Sequence, residues 1–175
     1  MPLKASNLKT CTYKSGQGGV DICHGRGLKW KPMENRNLVR VGQLEVCYLR
    51  DGTASGDTGA FELVVPSNAN VPPPHSHSLN EEFIYVLEGT LRYTVGAETR
   101  DLEVGQSMFT PKGAVHGFCN PFGVRAKALV VLSPDVGEGY FREVAAVINA
   151  GGPPDRAKLF QVMANYGLVP AVPTL

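Results

Sequence analysis

The 175-residue sequence predicts a mainly β fold that ends in two helices. Its 20 glycines and 13 prolines indicate many short elements joined by turns. Runs of alternating apolar and polar residues recur up to about Leu132, as expected of strands with one buried face. Beyond that point the apolar spacing becomes helical. We therefore expect one domain over residues 1–175, with a β barrel preceding the helices.

The domain is expected to begin with an irregular arm. Residues 1–37 are interpreted as this arm with short strands, in which Trp30, the only tryptophan, buries its ring. The barrel is predicted over residues 38–134. Its first strand is predicted over Leu38–Leu49, in the second half of which Leu44, Val46 and Tyr48 point to one face.

Seven further β-rich runs follow within the barrel. Two of them are expected to form a hairpin through Glu88 and Gly89. The runs are Ala60–Val65, Glu82–Leu87, Thr90–Val95, a run ending at Val104, Ser107–Pro111, Val115–Phe118 and Arg125–Leu132.

A helical extension is predicted over residues 137–168. Its first helix, Gly139–Ala150, places apolar residues on one stripe, and the second covers Asp155–Tyr166 with Gly167 as its stop. The stripes are interpreted as packing surfaces and not as cofactor contacts. Their members are Tyr140, Phe141, Val144, Val147, Ile148, Leu159, Phe160, Met163 and Tyr166.

Composition restricts the classes of partner. A formal net charge of +1 gives no electrostatic footprint for nucleic acid or an anionic membrane surface. Residues 1–19 contain no apolar run, so we expect neither a signal peptide nor a membrane span. Four widely spaced cysteines, at positions 11, 23, 47 and 119, favour reduced thiols over a disulfide framework. The protein is therefore expected to be cytoplasmic.

Histidine is concentrated in one part of the chain. Three of the four histidines, His75, His77 and His116, lie in two short segments, and Glu81 and Glu82 follow the first pair. Imidazoles grouped with a carboxylate indicate a transition-metal site. The fourth histidine, His24, lies beside Cys23, but adjacent strand residues face opposite ways, so no second site is expected there.

Strand alternation orients the cluster. His75 and His77 are one residue apart, so both side chains lie on the same face of a strand. Glu82 would face away on a continuous strand, so Ser78–Asn80 must bend the chain and let Glu82 begin a new inward row with Ile84 and Val86. His116 comes from another strand, on which Cys119 faces away. Glu81 remains the competing carboxylate.

Two motifs in this region resemble those of the cupin superfamily. In the first, His75-x-His77 is followed after four residues by Glu82 and after six more by Gly89. The second has Gly105, Pro111-x-Gly113, His116 and Asn120 at the family's spacing, fifteen residues beyond the first. One departure is Ala69, where the family usually has a glycine. The helical tail is similar to that of quercetin dioxygenase-like cupins.

The resemblance implies a cupin double-stranded β-helix, a jelly-roll barrel that holds one divalent transition metal. Carried over residue by residue, the ligands are His75, His77, Glu82 and His116, and the register with Gly89 favours Glu82 over Glu81. Such a donor set suits Fe, Mn, Ni, Co, Cu or Zn. Some cupins keep the barrel without the metal or its chemistry, and a metal-binding barrel does not by itself specify a reaction.

Three functions agree with the predicted site. The first is a metal-dependent dioxygenase acting on a small enolic or aromatic, flavonol-like substrate in the barrel, with Glu82 as general base. The second is a non-catalytic cupin that binds metal or a small ligand. The third is a metal-assisted isomerase or decarboxylase, which several Arg or Lys in the pocket would favour. Candidate wall residues are Phe61, Ile84, Val86, Tyr93, Met108 and Phe118.

The sequence also predicts a homodimer. Phe83, Tyr85 and Leu87 form an apolar outer face that needs a cover, either the N-terminal arm or a second subunit. Arg92 and Arg125 are the basic residues near the core strands, and alternation leaves their direction open.

Overall fold

A computed structural model describes residues 37–171, which fold into two antiparallel sheets and two α-helices. Trp30, His24, Cys11 and Cys23 lie outside the described residues, so the predictions made for them, and the single-domain organisation over residues 1–175, stay predictions. The strands are β1 (Asn37–Val41), β2 (Leu44–Arg50), β3 (Gly59–Val65), β4 (His75–His77), β5 (Glu81–Glu88), β6 (Thr90–Val95), β7 (Glu98–Glu103), β8 (Ser107–Thr110), β9 (His116–Cys119), β10 (Ala126–Ser133) and β11 (Leu168–Pro170).

The two sheets make the jelly-roll barrel that the sequence predicts. One sheet has six strands in the order β1-β2-β3-β10-β5-β8, and the other has five in the order β11-β4-β9-β6-β7. Alternation decides which side chains enter the core between the sheets. On β5, for example, Ile84 and Val86 are fully buried, whereas Phe83, Tyr85 and Leu87 are 37%, 37% and 36% exposed. The predicted inner and outer faces of this strand are thus confirmed.

The predicted hairpin through Gly89 is wrong. The two runs form consecutive strands, but β5 pairs with β10 and β8, and β6 pairs with β7 and β9 in the other sheet. At Gly89 the chain passes from one sheet to the other. Only glycine suits this position, because its φ is +68° and a Cβ there would clash with the carbonyl oxygen of Arg125. Alternation indicates which face a residue takes, but not which strand lies beside it.

Two other segments differ from the sequence prediction. Leu38–Leu49 is not one strand but the hairpin of β1 and β2, turned at Gly42, whose φ is +58°. Gly167 ends the helical region as expected, but the chain then forms β11, which pairs with β4. A strand of three residues is too short to show a periodic signal.

The two predicted helices are confirmed as α1 (Glu138–Ile148) and α2 (Arg156–Asn165). The buried side chains of α1 include Tyr140, Val144 and Val147, and Asp155 caps α2 by accepting a hydrogen bond from the backbone amide of Lys158. Among the described helices, neither has the length and apolar character needed to cross a membrane.

Candidate metal centre

The three histidines meet on the five-stranded sheet. Strands β4 and β9 are antiparallel neighbours, and His75 lies directly opposite His116 in their register. His77, two residues along β4, takes the same face, as alternation requires. The three ring centroids are 4.6 to 5.2 Å apart, and the three donor nitrogens all lie within 4.8 Å of one another. His77 and His116 are buried, and His75 is partly exposed.

Backbone carbonyls orient two of the imidazoles. The Nδ1 atom of His75 lies 3.0 Å from the carbonyl oxygen of Pro73, and that of His116 lies 3.2 Å from the carbonyl oxygen of Ala114. Because a carbonyl only accepts, each Nδ1 must carry the proton. The neutral rings therefore present the lone pair of Nε2 to the cluster, which is the form that binds a metal.

Glu82 enters the cluster from the other sheet. Ser78–Asn80 bends the chain between β4 and β5, and both the amide and the hydroxyl of Ser78 donate to the carbonyl oxygen of Gly167 at 2.8 Å. After this bend, Oε2 of Glu82 lies 3.6 Å from Nε2 of His77 and 3.6 Å from Nε2 of His116. These distances are too long for hydrogen bonds. Glu81, by contrast, is exposed.

A chain of hydroxyls holds the other oxygen of Glu82. The Tyr93 hydroxyl donates to Oε1 at 2.8 Å, and its oxygen lies 2.9 Å from the Thr110 hydroxyl. Since the single proton of Tyr93 goes to the carboxylate, Thr110 must be the donor in the second bond. Tyr93 and Thr110 are both buried. Oε1 is thus occupied, and Oε2 is left directed at the imidazoles.

The electrostatics keep Glu82 ionised. Burial alone would raise the pKa of Glu82, but the neighbouring His116 and His77 and the hydrogen bond from Tyr93 outweigh it and lower the pKa to about 2. Burial and the other two imidazoles lower the pKa of His75 to about 4, and burial also lowers the pKa of His77. For His116 burial acts downward too, but the carboxylate of Glu82 raises the pKa above its ordinary value.

These residues fit a metal ion. Nε2 of His77 and Nε2 of His116 are buried and have no hydrogen-bond partner among the described residues. A buried basic nitrogen without a partner is costly unless something binds it. Two atoms that each lie about 2.1 Å from one ion are roughly 3 to 4 Å apart, close to the separation of Glu82 from these two rings. The buried histidine cluster is therefore compatible with a divalent transition metal.

The cluster lines a small cavity, here called the metal chamber, of about 70 Å³. Apart from the imidazoles and Glu82, its walls are almost entirely apolar, and no lysine or arginine of the described residues lines it. Helix α1 closes one side with Tyr140, Phe141 and Val144. An apolar wall excludes water and strengthens the electrostatic interactions inside.

The predicted wall residues divide into two groups. Phe61 and Phe118 line the metal chamber, whereas the other four are buried elsewhere in the barrel and lie outside its lining. Those four are Ile84, Val86, Tyr93 and Met108. Tyr93 nevertheless contributes through its hydrogen bond to Glu82.

The remaining sequence candidates lie away from the cluster. Cys119 is absent from the group of potential ligands found among the described residues, as its place on β9 predicted. Cys47 and Cys119 are free thiols. Arg92 pairs with Asp101, and Arg125 pairs with Glu88, both at the surface, so neither guanidinium enters the barrel.

Sequence reasoning missed the contribution of α1 to the chamber. It assigned Tyr140, Phe141 and Val144 to packing alone, yet these side chains form part of the chamber wall. Burial and the charge of Glu82 raise the pKa of Tyr140, so its hydroxyl stays protonated at neutral pH. The signal available in the sequence was a tyrosine, a residue with a polar end, within an otherwise apolar stripe.

Comparison with known proteins agrees with this geometry. The family model of the cupin domain matches residues 61–132. Over these residues the chain is similar to the cupin domain. The fold of a solved RmlC-like cupin from Shewanella frigidimarina is similar, with a TM-score of 0.53 and 21% identity over 62% of this chain and 93% of that one. The cupin jelly-roll fold is thereby confirmed, whereas the resemblance to the quercetin dioxygenase-like branch stays a prediction.

Two curated relatives come from streptomycetes. Polyketide synthase CurC of Streptomyces cyaneus is 31% identical over 98 residues, which cover 56% of this chain and 63% of the relative. Tetracenomycin polyketide synthase protein TcmJ of Streptomyces glaucescens is 29% identical over 83 residues, or 47% of this chain and 54% of the relative. The chain thus spans less than two thirds of the length of either relative.

Proposed function

We propose that this cupin is a metal-dependent dioxygenase that acts on a small enolic or phenolic substrate. The observation that carries the proposal is the convergence of three imidazoles and one carboxylate oxygen in an apolar chamber. His75, His77, Glu82 and His116 would hold one ion. Bound there, a transition metal would supply Lewis acidity toward a substrate oxygen and a redox centre for O2.

Glu82 is proposed as the general base. Its carboxylate is ionised at neutral pH, because its pKa is lowered to about 2. So weak a base needs an acidic partner, and an enol or phenol whose oxygen faces the metal is one. Oε2 would accept this proton while Tyr93 keeps Oε1 in place.

The chamber favours an apolar substrate. It is lined by aromatic and aliphatic side chains such as Phe61, Phe118 and Phe141, and it offers few polar groups besides the cluster. Two of the relatives carry the word polyketide in their names, which supports a polyketide-derived phenol or enol as the substrate class.

The alternatives receive less support. A sugar phosphate or small dicarboxylate needs cationic partners, and no described arginine or lysine lines the chamber, which weighs against the metal-assisted isomerase or decarboxylase. A non-catalytic binding cupin has the same fold and donor set, so only measured turnover separates it from the oxygenase.

The test is oxygen uptake by protein loaded in turn with Fe, Mn, Co, Ni, Cu or Zn. We expect one O2 to be consumed per molecule of a flavonol or 1,3-diketone with a redox-active ion, and both atoms of ¹⁸O2 to enter the product. Zinc-loaded protein is the matched control, since zinc has no redox chemistry. An absence of uptake with every metal and both substrate classes would leave the binding module as the better account.

We further propose a homodimer formed through the outer face of the six-stranded sheet. Phe83 on β5 lies opposite Phe109 on β8, and these side chains are 37% and 50% exposed. With Tyr85 and Leu87 they form a continuous apolar surface, of the kind that marks an interface. In sedimentation the wild type should behave as a dimer and the double variant Phe83→Lys, Phe109→Lys as a folded monomer. A monomeric wild type at working concentration would contradict the proposal.

A further inference from the structure

A second cavity lies beside the metal chamber. It has a volume of about 690 Å³ and lies between the β1–β2 hairpin, the segment before β4, and helices α1 and α2. We call it the antechamber. The two cavities share five lining residues and therefore adjoin: Val41, Leu44, Pro72, Tyr140 and Val144.

The two cavities differ in size and in chemistry. About 70 Å³ in the metal chamber is too little for a molecule with several rings, whereas pockets that enclose such ligands have volumes of about 300 to 1,000 Å³. The antechamber falls within that range. Its inner lining is apolar and includes Ile148, Leu159 and Phe160, while Gln43, Asn70 and Arg156 supply polar groups.

Tyr140 stands at the junction of the cavities. Its side chain is 93% buried, since only 7% of it is exposed, and its hydroxyl forms no hydrogen bond with any residue between 37 and 171. Edge-on contacts with Phe141 and Tyr166, at centroid distances of 5.0 and 5.4 Å, fix the ring. The hydroxyl is not among the fully buried atoms without a partner, so its oxygen is accessible from the cavities, where a ligand atom can form a hydrogen bond with it.

We propose that the antechamber binds the body of a multi-ring, largely apolar substrate, whose enolic end enters the metal chamber and one of whose oxygens hydrogen-bonds to Tyr140. This inference rests on the proposed function, because the cluster supplies the inner end of the site. The continuity of the two linings favours a small molecule that spans both cavities over an occupant of the outer groove alone.

Two probes of different length test the proposal. Acetylacetone is a small diketone that the metal chamber alone could accept, and 3-hydroxyflavone carries three rings. Calorimetry under anaerobic conditions, on full-length protein with its metal content measured, gives both affinities without turnover. The variant Ile148→Trp fills the antechamber from a residue that does not line the metal chamber. Ala146→Trp, on the exposed side of the same helix, is the matched control.

In Ile148→Trp we expect the affinity for 3-hydroxyflavone, relative to that for acetylacetone, to fall at least 10-fold, with no such change in Ala146→Trp. Tyr140→Phe, which removes one hydroxyl, should lower the affinity for 3-hydroxyflavone about 3- to 10-fold. An unchanged ratio in Ile148→Trp overturns the antechamber, and full affinity in Tyr140→Phe overturns the assigned hydrogen bond. If Ile148→Trp fails to fold, Phe160→Ala, a change at another residue that lines the antechamber and not the metal chamber, should lower the same ratio.

The outcomes also separate this inference from the proposed function. A changed ratio in a protein that consumes no oxygen supports the antechamber and counts against the dioxygenase. An unchanged ratio in an active oxygenase overturns the antechamber alone. If 3-hydroxyflavone does not bind the wild type at all, the inference is wrong.

Discussion

The candidate metal centre has two halves that are built in different ways. The imidazole half lies on the five-stranded sheet, where main-chain carbonyls of Pro73 and Ala114 orient His75 and His116. The carboxylate half comes from the six-stranded sheet, where a side-chain hydroxyl orients Glu82. Backbone support is a property of the fold, whereas side-chain support depends on single residues. Substitutions in the two halves should therefore have effects of different size.

The largest effect is expected in the imidazole half. His116→Ala removes a ligand whose Nε2 is buried and otherwise without a partner. Because even outer partners of metal ligands contribute about 10- to 100-fold to affinity, the loss of a ligand itself should weaken metal binding more than about 100-fold. Metal analysis of natively purified protein measures this.

The control for that experiment is His24→Ala, a histidine that the sequence does not assign to the cluster. It should retain the metal content of the wild type. Full occupancy in His116→Ala, or an equal loss in both variants, would contradict the place of His116 among the ligands.

A smaller effect on metal binding, but a large one on turnover, is expected in the carboxylate half. Glu82→Gln keeps the shape of the side chain and an oxygen that can accept from Tyr93, but it has no charge and cannot take a proton. We expect metal affinity to fall less than in His116→Ala and turnover to fall about 10²- to 10⁴-fold. Metal analysis and oxygen uptake, both measured on the same variant, separate the two effects. The control is Glu81→Gln, a change at the neighbouring glutamate, which is exposed. Equal turnover in both glutamine variants would refute the assignment of the base.

The smallest effect should follow from Tyr93→Phe, which leaves every proposed ligand in place. The loss of the 2.8 Å hydrogen bond frees Oε1 of Glu82 to rotate, so metal affinity should fall about 10- to 100-fold. Tyr48→Phe, which removes the hydroxyl of another buried tyrosine that does not line the metal chamber, tests whether any such loss has this result. If Tyr93→Phe loses stability but binds metal as the wild type does, the tyrosine is structural only.

The imidazole half of the centre could be predicted from the sequence better than the side-chain support of the carboxylate half. Alternation alone puts His75 and His77 on one face, and the need to turn Glu82 inward requires the observed bend at Ser78–Asn80. Tyr93 could not be assigned to Glu82, because the two residues lie in different sheets and only the folded chain brings them together. Side-chain partners between sheets leave no periodic signal.

The fold shows a similar limit. The faces of β5 and the stripe of α1 follow from spacing, but neither reveals what lies opposite. The hairpin expected at Gly89 is instead a crossing between sheets, since two alternating runs around a glycine fit both arrangements. Likewise the stripe of α1 identifies a buried face, and only the structure shows that Tyr140 and Val144 border a cavity as well as a core.

The pairing of β11 with β4 has a consequence for how the site is assembled during synthesis. Leu168 lies opposite His77, and Pro170 lies opposite His75, so the strand that carries two proposed ligands is flanked on one side by a segment made much later. While the ribosome is still translating α2, the edge of β4 has no neighbour on that side. The edge of β4, the strand that carries two proposed ligands, is therefore completed only by the last of the described strands.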